Sequence, residues 1–504
     1  MQAFASPEPA VAWLRERVTG KLCADSRRLA AGDGFLAWPG ARFDAREHLA
    51  SAWQRGALAC LMEGSGLDTN AVADERVAAY SDLKAHSGQV ASVYYREPSR
   101  QLRVLAVTGT NGKTSTAWWL SQALSSLPQA AAKACGLIGT LGVGYVPELH
   151  EQGLTTPDAV DLQTALARFV SDGARACAIE ASSVGLEEHR LAGTHVHTAI
   201  FTNLTQDHLD YHGDMAHYGA AKAKLFAWPE LKAAVINVDD PFGVALADQV
   251  RARTDDVDLW TVSASTQACA GARLIAGDVR FAQRGLSFAV REGDQQAQVQ
   301  TDLIGQYNVS NLLGVIAALR TLGVSLNDAA QVCSALTPVP GRMQCVNAAG
   351  RPLVAVDYAH TPDALAQALQ TLRPMAQQRG GRLWCVFGCG GDRDAAKRPL
   401  MGAVAARHAD RVMLTSDNPR SESADVIVSQ ILLGTGGVPD VMVELERGAA
   451  IAQALERAAP QDVVLIAGKG HEDYQEIKGE RRPFSDLTCV QALWGMAMSA
   501  GASS

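Results

Sequence analysis

The chain has 504 residues, 47% hydrophobic and 19% charged, enough for about three domains at roughly 100 to 200 residues each. With 19 Pro and 45 Gly it is neither disordered nor collagen-like. The 45 Lys and Arg against 53 Asp and Glu leave a formal charge of −8, which argues against a general binder of nucleic acid or anionic membranes.

The first stretch, MQAFASPEPAVAWLRERV, carries Glu8 and no continuous apolar core, so it does not read as a secretory signal. No apolar run approaches the ~20 residues of a membrane helix, and a cytoplasmic protein is expected. Residues 1–98 place short strand-like pieces (34–38 and 57–61) between turns and helical stretches, as in a small α/β domain. The apolar run 104–107, the glycine at 109 and the helical stretch 114–127 predict a strand, a loop and a helix. Strand candidates at 174–179, 198–201 and 233–238 each end in a polar loop and alternate with helices, predicting a mainly parallel sheet for a central domain, 99–338. Segment 255–302 alternates like antiparallel strands, and 308–322 reads as an apolar helix. Pro338, Pro340 and Gly341 mark the linker to a third domain, 339–504. There, strands at 353–356, 383–387, 411–414 and 463–466 run into loops rich in Gly, Asp, Asn, His or Arg. Ligands of doubly wound sheets bind at the carboxyl ends of strands, so four such loops predict one converging pocket in a Rossmann-like domain.

Ten cysteines lie singly from Cys23 to Cys489 without a CxxC pair, which predicts reduced thiols. Cys385 and Cys389 are the closest pair, but no second pair or His follows at ligand spacing, so they read as packing residues.

The strongest single signal is Gly109-Thr110-Asn111-Gly112-Lys113-Thr114-Ser115 between a buried strand and a helix. Its glycines let backbone N–H groups wrap a polyphosphate, the helix N-terminus adds dipole charge, Lys113 neutralises the outer phosphates and Thr114 faces Mg²⁺. Val107 stands where the general P-loop has a further glycine, so this is a shortened variant. A triphosphate needs a hard cation, and oxygen ligands are found where strands end: Glu180, and the cluster from Thr205 to Asp210. His208, just past a strand end, joins that group; His189, His195, His197, His212 and His217 read as structural hydrogen-bonding residues.

The ordered set GTNGKTS at 109–115, EASS at 180–183, TNLTQDHLDYHG at 202–213, YGAAKAKLF at 218–226, GQYNVSNLL at 305–313 and PGRMQ at 340–344 resembles the Mur ligases. These are ATP-dependent amino-acid ligases of cytoplasmic peptidoglycan precursor synthesis, and the resemblance runs from about residue 25 to about 490. It implies an α/β chain of three domains: a UDP-sugar-binding domain, a P-loop ATPase-like domain and a Rossmann-like amino-acid-binding domain. It also implies that Lys222 is carbamylated to N6-carboxylysine and joins Thr114, Glu180 and His208 around Mg²⁺, with Lys113, His208 and Lys222 as catalytic residues. That chemistry requires burial to lower the amine pKa; Lys224 reads as an ordinary solvated cation. Asn308, Arg342, Asp357 and His360 match the family's nucleotide contacts. Ser26, Thr155, Thr156, Ser182 and Arg190 match its contacts to the UDP-sugar peptide, although Val184 and Glu188 stand where His and Gln are common.

Asp417-Asn418-Pro419-Arg420 resembles the DNPR signature that marks addition of meso-diaminopimelate to UDP-N-acetylmuramoyl-L-alanyl-D-glutamate. Diaminopimelate carries one carboxylate more than lysine, and a guanidinium holds a carboxylate through two parallel hydrogen bonds. Arg393, Gly468 and Glu472 complete the implied pocket. The implied reaction activates the D-glutamate side-chain carboxylate as an acyl phosphate, which the amine then captures, with domain closure bringing Arg342 to the phosphate loop. The implied partners are these small molecules and ATP, with no nucleic acid, and a monomer is expected. The rivals are a folylpolyglutamate synthetase type ligase, a lysine-adding Mur enzyme, and an ATP-hydrolysing switch or motor.

Overall fold

The computed structural model describes residues 1–40, 43–66, 74–127, 134–253, 256–265, 271–281, 285–437 and 440–496. Parts of the segment 255–302, and Cys269, lie outside the described residues. No helix among the described residues is long and apolar enough to cross a membrane.

Five strands open the chain: β1 (Gln2–Phe4), β2 (Leu22–Cys23), β3 (Gly34–Ala37), β4 (Ala59–Glu63) and β5 (Val77–Tyr80). They pair in parallel in the order β1-β5-β4-β3-β2. Both faces are covered, Leu36 and Leu61 packing with Trp13 and Leu14 on one side, Phe35 and Cys60 with Leu29 and Ala52 on the other. That is why these strands read as unbroken apolar runs and not as alternation. The helix Leu83–Tyr94 docks this unit on the next. A Cβ on Gly88 would lie 2.0 Å from Ala192 O, so the two backbones meet only because residue 88 is glycine.

Eleven strands follow: β6 (Arg103–Thr108), β7 (Cys135–Gly139), β8 (Gly142–Tyr145), β9 (Glu148–His150), β10 (Ala176–Glu180), β11 (Thr198–Phe201), β12 (Ala233–Asn237), β13 (Asp258–Ser263), β14 (Leu274–Phe281), β15 (Leu286–Glu292) and β16 (Gln295–Thr301). Their order is β16-β15-β14-β13-β12-β11-β6-β10-β7-β8-β9. The middle, from β7 to β14, is parallel, and antiparallel strands extend both ends. The antiparallel expectation for 255–302 therefore fails at β13, which runs parallel to β12. The helix Pro241–Arg251 between them is a crossover, and a crossover returns the chain in the same direction. The helix Lys113–Ser126 is buried around nearly its whole circumference, because the sheet lies on one side and the helix Tyr307–Thr321 on the other. Its Trp118 and Trp119 fill that layer.

The last unit is a six-stranded sheet of β17 (Gln344–Val346), β18 (Leu353–Asp357), β19 (Leu383–Phe387), β20 (Arg411–Leu414), β21 (Val441–Val443) and β22 (Val463–Ala467), ordered β17-β18-β22-β19-β20-β21. All pairs are parallel except β17 with β18, and a separate hairpin of β23 (Tyr474–Ile477) and β24 (Glu480–Pro483) follows. Cys385 and Cys389 are buried, free packing residues of this unit.

Beneath the ends of β20 and β22 sits a fully buried ion pair. Arg447 Nε and Nη2 each donate at 2.7 Å to Asp486, and the same guanidinium donates to Ser416 O at 3.1 Å and Ala467 O at 2.9 Å. Removing one partner of such a pair strands the other charge in the interior. Asp486→Ala should destabilise the C-terminal unit by about 3–5 kcal/mol, read as a lower urea midpoint in the transition that reports Trp384 fluorescence.

Candidate active site

β6 ends at Thr108, and the chain turns through Gly109 (φ +146°) and Gly112 (φ +86°). A Cβ on Gly109 would lie 1.9 Å from Thr202 Oγ1, and one on Gly112 2.4 Å from Asn311 Oδ1, so space as well as dihedral demands glycine. The helix Lys113–Ser126 starts without a side-chain cap, leaving N–H groups free for an anion. The end of β11 braces the loop. Asn111 N donates to Asn203 Oδ1 at 2.9 Å, while Asn203 Nδ2 and Thr202 Oγ1 donate to Asn111 O at 3.1 and 2.6 Å. Thr110 Oγ1 accepts from Thr205 N at 2.9 Å and lies 3.2 Å from Tyr218 OH; Ser115 is buried and lines the same cavity.

Two lysines converge on this turn. Lys113 Nζ donates to Gly109 O and Thr110 O, and Lys222 Nζ to the same Gly109 O, each at 2.8 Å. Burial lowers the Lys113 pKa, opposed by Glu180 and Asp207. Lys222, fully buried above the Tyr218 ring, is pushed well below its ordinary range by burial and then by the Lys113 charge. Lys224 instead pairs at the surface with Glu187 at 2.6 Å. Glu180, at the end of β10, accepts from Thr114 Oγ1 at 2.9 Å, Thr140 N at 2.7 Å and Thr140 Oγ1 at 3.2 Å. Arg342 arrives from the C-terminal side and donates to Thr114 Oγ1 at 3.0 Å, its guanidinium 4.4 Å from the Tyr358 ring centre. Its buried Nε finds no acceptor among the described residues, which fits a phosphate oxygen supplied from outside. Among the described residues no three His, Cys, Asp or Glu side chains are grouped to hold a metal. The hard oxygens of Thr114 and Glu180 suit Mg²⁺, whereas Lys222 suits it only as a carbamate.

Asp207 is buried between two units, with His208 Nε2 at 3.5 Å, His360 Nε2 at 3.9 Å and Lys397 Nζ at 4.0 Å. Burial alone would raise its pKa, but His360, His208, Lys397 and Lys113 hold it at about 2. Burial lowers the His208 pKa despite Asp207. A second contact crosses the same boundary, Asn111 Nδ2 donating to Asp363 Oδ2 at 3.0 Å. Farther along the cavity wall, Asn308 donates to Ile304 O at 2.7 Å and accepts from Asn311 at 3.1 Å. Asp357, whose pKa burial raises, accepts from Met343 N at 2.6 Å through one carboxylate oxygen.

The loops after β19 and β20 meet backbone to backbone, where a Cβ on Gly391 would lie 1.9 Å from Pro419 O, while the turn after β22 meets a carboxylate, where a Cβ on Gly468 would lie 2.4 Å from Asp417 Oδ2. Asn418 donates to Glu472 Oε2 at 2.7 Å. Arg420, at φ +52°, is tied to the hairpin through Glu476 O and to Gly391 O by its Nη1 at 2.7 Å. Exposed Arg393 reaches only as far as the neighbouring Asp392 O, at 3.3 Å. Toward the other end, Thr156 Oγ1 donates to Glu180 O at 2.6 Å and accepts from Ser182 N, and Arg190 donates to Thr156 O at 3.0 Å. Glu188 pairs with Lys84 at 2.5 Å and accepts from Tyr211 OH at 2.7 Å.

One continuous cavity of about 1800 Å³ joins these regions. Its wall includes Lys113, Thr114, Glu180, His208 and Lys222; Asn308, Arg342, Asp357 and His360; Thr155, Ser182 and Arg190; and Arg393, Asp417, Asn418, Arg420, Gly468 and Glu472. Gly109, Thr156 and Pro419 stand behind the wall, and Ser26 belongs to the N-terminal unit, in a turn that Asp25 caps. Sequence reasoning passed over Thr140, Asp363 and Lys397, and held Asp207 only as one member of the oxygen-ligand cluster 205–210. Asp207 stood beside His208 in the quoted cluster, while Lys397, at a helix start, carries no local sign of burial.

A family model described as "Mur ligase middle domain" matches residues 107–319, and one described as "Mur ligase, glutamate ligase domain" matches 341–470. The chain is 58% identical, over 98% of both chains, to the UDP-N-acetylmuramoyl-L-alanyl-D-glutamate--2,6-diaminopimelate ligase of Acidovorax sp. (strain JS42). A solved structure of a ligase of that name is 35% identical with TM-score 0.64, covering 94% of each chain. The MurF ligase of Thermotoga maritima in complex with ADP shares the fold at TM-score 0.63 and 17% identity, covering 89% of this chain and 94% of that one.

One titration follows from the geometry. His471 lies against Tyr358 with ring centres 5.3 Å apart and a buried Nδ1, and burial, then Arg342 and Lys469, lower its pKa to about 3 from an ordinary 6.5. Between those values the unfolded chain binds the extra proton, so this ring's share of stability is lost as pH falls from 6.5 toward 3. His471→Phe keeps the ring contact without a titrating group. Denaturant unfolding across that window should show a slope shallower than wild type by up to about 1.4 kcal/mol per pH unit.

Proposed function

The chain belongs to the Mur ligase family, and we propose that it joins meso-diaminopimelate to the D-glutamate of UDP-N-acetylmuramoyl-L-alanyl-D-glutamate, with ATP converted to ADP. The observation that carries this reading is the single cavity in which the phosphate loop, the peptide-side residues and the DNPR loop share one wall. A folylpolyglutamate synthetase type reading leaves both the DNPR pocket and the N-terminal sheet without a task. A bare ATPase reading leaves the guanidinium-lined end without one.

We assign residues 1–98 to the UDP-sugar end, where Ser26 stands, 99–338 to ATP and 339–504 to the amino acid. Thr155, Ser182 and Arg190 orient the dipeptide, and Asn308, Asp357 and His360 face the adenosine. The D-glutamate side-chain carboxylate attacks the γ-phosphoryl, ADP leaves, and an amine of diaminopimelate displaces phosphate from the acyl phosphate. Carboxylate is a poor acylating agent, so ATP supplies the leaving group while the chain supplies position and charge. Lys113 and Arg342 neutralise the transferring phosphoryl, and Arg420 and Arg393 hold the distal carboxylate of the amino acid. Lys222 is fully buried and its pKa is depressed by burial and by the Lys113 charge, which favours the neutral amine that carbamylation needs. Magnesium, held by Thr114, Glu180, His208 and the Lys222 carbamate, would neutralise phosphate charge. Because the C-terminal unit already touches the phosphate loop through Arg342 and Asp363, the acyl phosphate forms away from bulk water. The reaction is placed in the cytoplasm, in a monomer.

Phosphate release should depend strictly on both the muramoyl dipeptide and diaminopimelate, with the UDP-tripeptide appearing by mass; release with neither present would replace this reading with an ATPase. Arg420→Lys keeps a charge but loses the planar fork. It should raise KM for diaminopimelate about tenfold or more and leave KM for ATP unchanged in steady-state assays.

A further inference from the structure

The turn Gly468-Lys469-Gly470 carries a lysine with no exposed surface. Its Nζ donates to Asn418 Oδ1 at 3.1 Å and to Glu472 Oε2 at 2.9 Å. Asn418 Nδ2 donates to that same Glu472 oxygen at 2.7 Å, and Asn418 Oδ1 also accepts from Glu476 N at 3.0 Å. The three side chains close a ring in which each fixes the others: the amide oxygen must face the ammonium, and the amide nitrogen must face the carboxylate. Asn418 and Glu472 line the cavity, whereas Lys469 stands behind them. A buried ammonium is costly unless paired, and here both of its partners line the cavity.

We propose that Lys469 is a positioning residue that sets amino-acid specificity, by fixing Asn418 and Glu472 and by cancelling the Glu472 charge so that the pocket favours a dicarboxylic diamino acid over lysine. This rests on the reading of the pocket given above. Of the other charges at this end, Glu476 lies 3.7 Å from Arg420, and Asp417 lies 4.0 Å from Arg447. With Glu472 paired to Lys469, Arg393 and Arg420 dominate and suit a second carboxylate. Without Lys469, Glu472 is uncompensated and favours the net-cationic distal end of lysine over the distal end of diaminopimelate, where the same ammonium is accompanied by a carboxylate.

The test uses the full chain with Lys469→Met, assayed at saturating ATP and muramoyl dipeptide with diaminopimelate or lysine as acceptor. We expect KM for diaminopimelate to rise about tenfold or more, KM for ATP to stay at the wild-type value, and the kcat/KM preference for diaminopimelate over lysine to fall by about the same factor. Lys469→Gln, neutral but still a donor, serves if the methionine variant does not fold, and should lose preference while gaining less in KM. An unchanged preference in a soluble variant overturns the proposal, as does an equal rise in KM for all three substrates, which marks general loosening. Wild-type enzyme that fails to ligate diaminopimelate overturns the underlying functional reading instead, and that control is run first.

Discussion

Two lysine amines share one carbonyl oxygen at the centre of this molecule. Lys113 and Lys222 both donate to Gly109 O at 2.8 Å, an arrangement that mutual repulsion disfavours unless one amine is neutral or negative charge is close. The surroundings favour both remedies. Burial drives the Lys222 pKa well down, and Glu180 and Asp207 contribute carboxylates that act on Lys113 from two neighbouring strand ends. The residual positive field is what a polyphosphate requires, so a feature that costs stability in the folded chain is recovered on binding.

The backbone makes this crowding possible. β6, β10 and β11 are adjacent and parallel, so the loop, Glu180 and the Thr202–Asp207 segment leave the sheet side by side at their carboxyl ends. The same rule operates in the C-terminal sheet, where β18, β22, β19 and β20 are neighbours and release Asp357, Gly468, the glycine loop before Arg393, and Asp417. Arg342, His360 and Lys397 then cross from the second sheet to the first. The cavity is thus a seam between two sets of strand ends.

The amount legible in the sequence follows from how local each signal is. The strand candidates 198–201, 383–387 and 411–414 coincide with β11, β19 and β20, because strands buried on both faces leave unbroken apolar runs. The phosphate loop was visible because its glycines and lysine lie within seven residues. Direction was not visible in 255–302, since alternation has the same period in parallel and antiparallel strands, and the crossover helix decides it. Nor were Lys469, Lys397 and Arg447 legible as interior residues. A cation between glycines or at a helix start reads as solvated, and its burial depends on partners such as Asn418, 51 residues from Lys469 in sequence.

Those hidden cations share a logic. Arg447 holds the carbonyls of Ser416 and Ala467, the last residues before the DNPR loop and the Gly468 turn. Arg398, also buried, donates to both oxygens of Glu422 and to Gly390 O, joining the loop before Arg393 to the chain just after Arg420. Lys469 does the same one layer closer to the cavity, through Asn418 and Glu472. A polar loop cannot be fixed by apolar packing, because it has little apolar surface to bury. Buried guanidinium and ammonium groups fix it through direction-specific bonds to carbonyl and carboxylate oxygens. The gain lies in pocket geometry more than in net stability, since desolvating such ions offsets most of what their pairing returns.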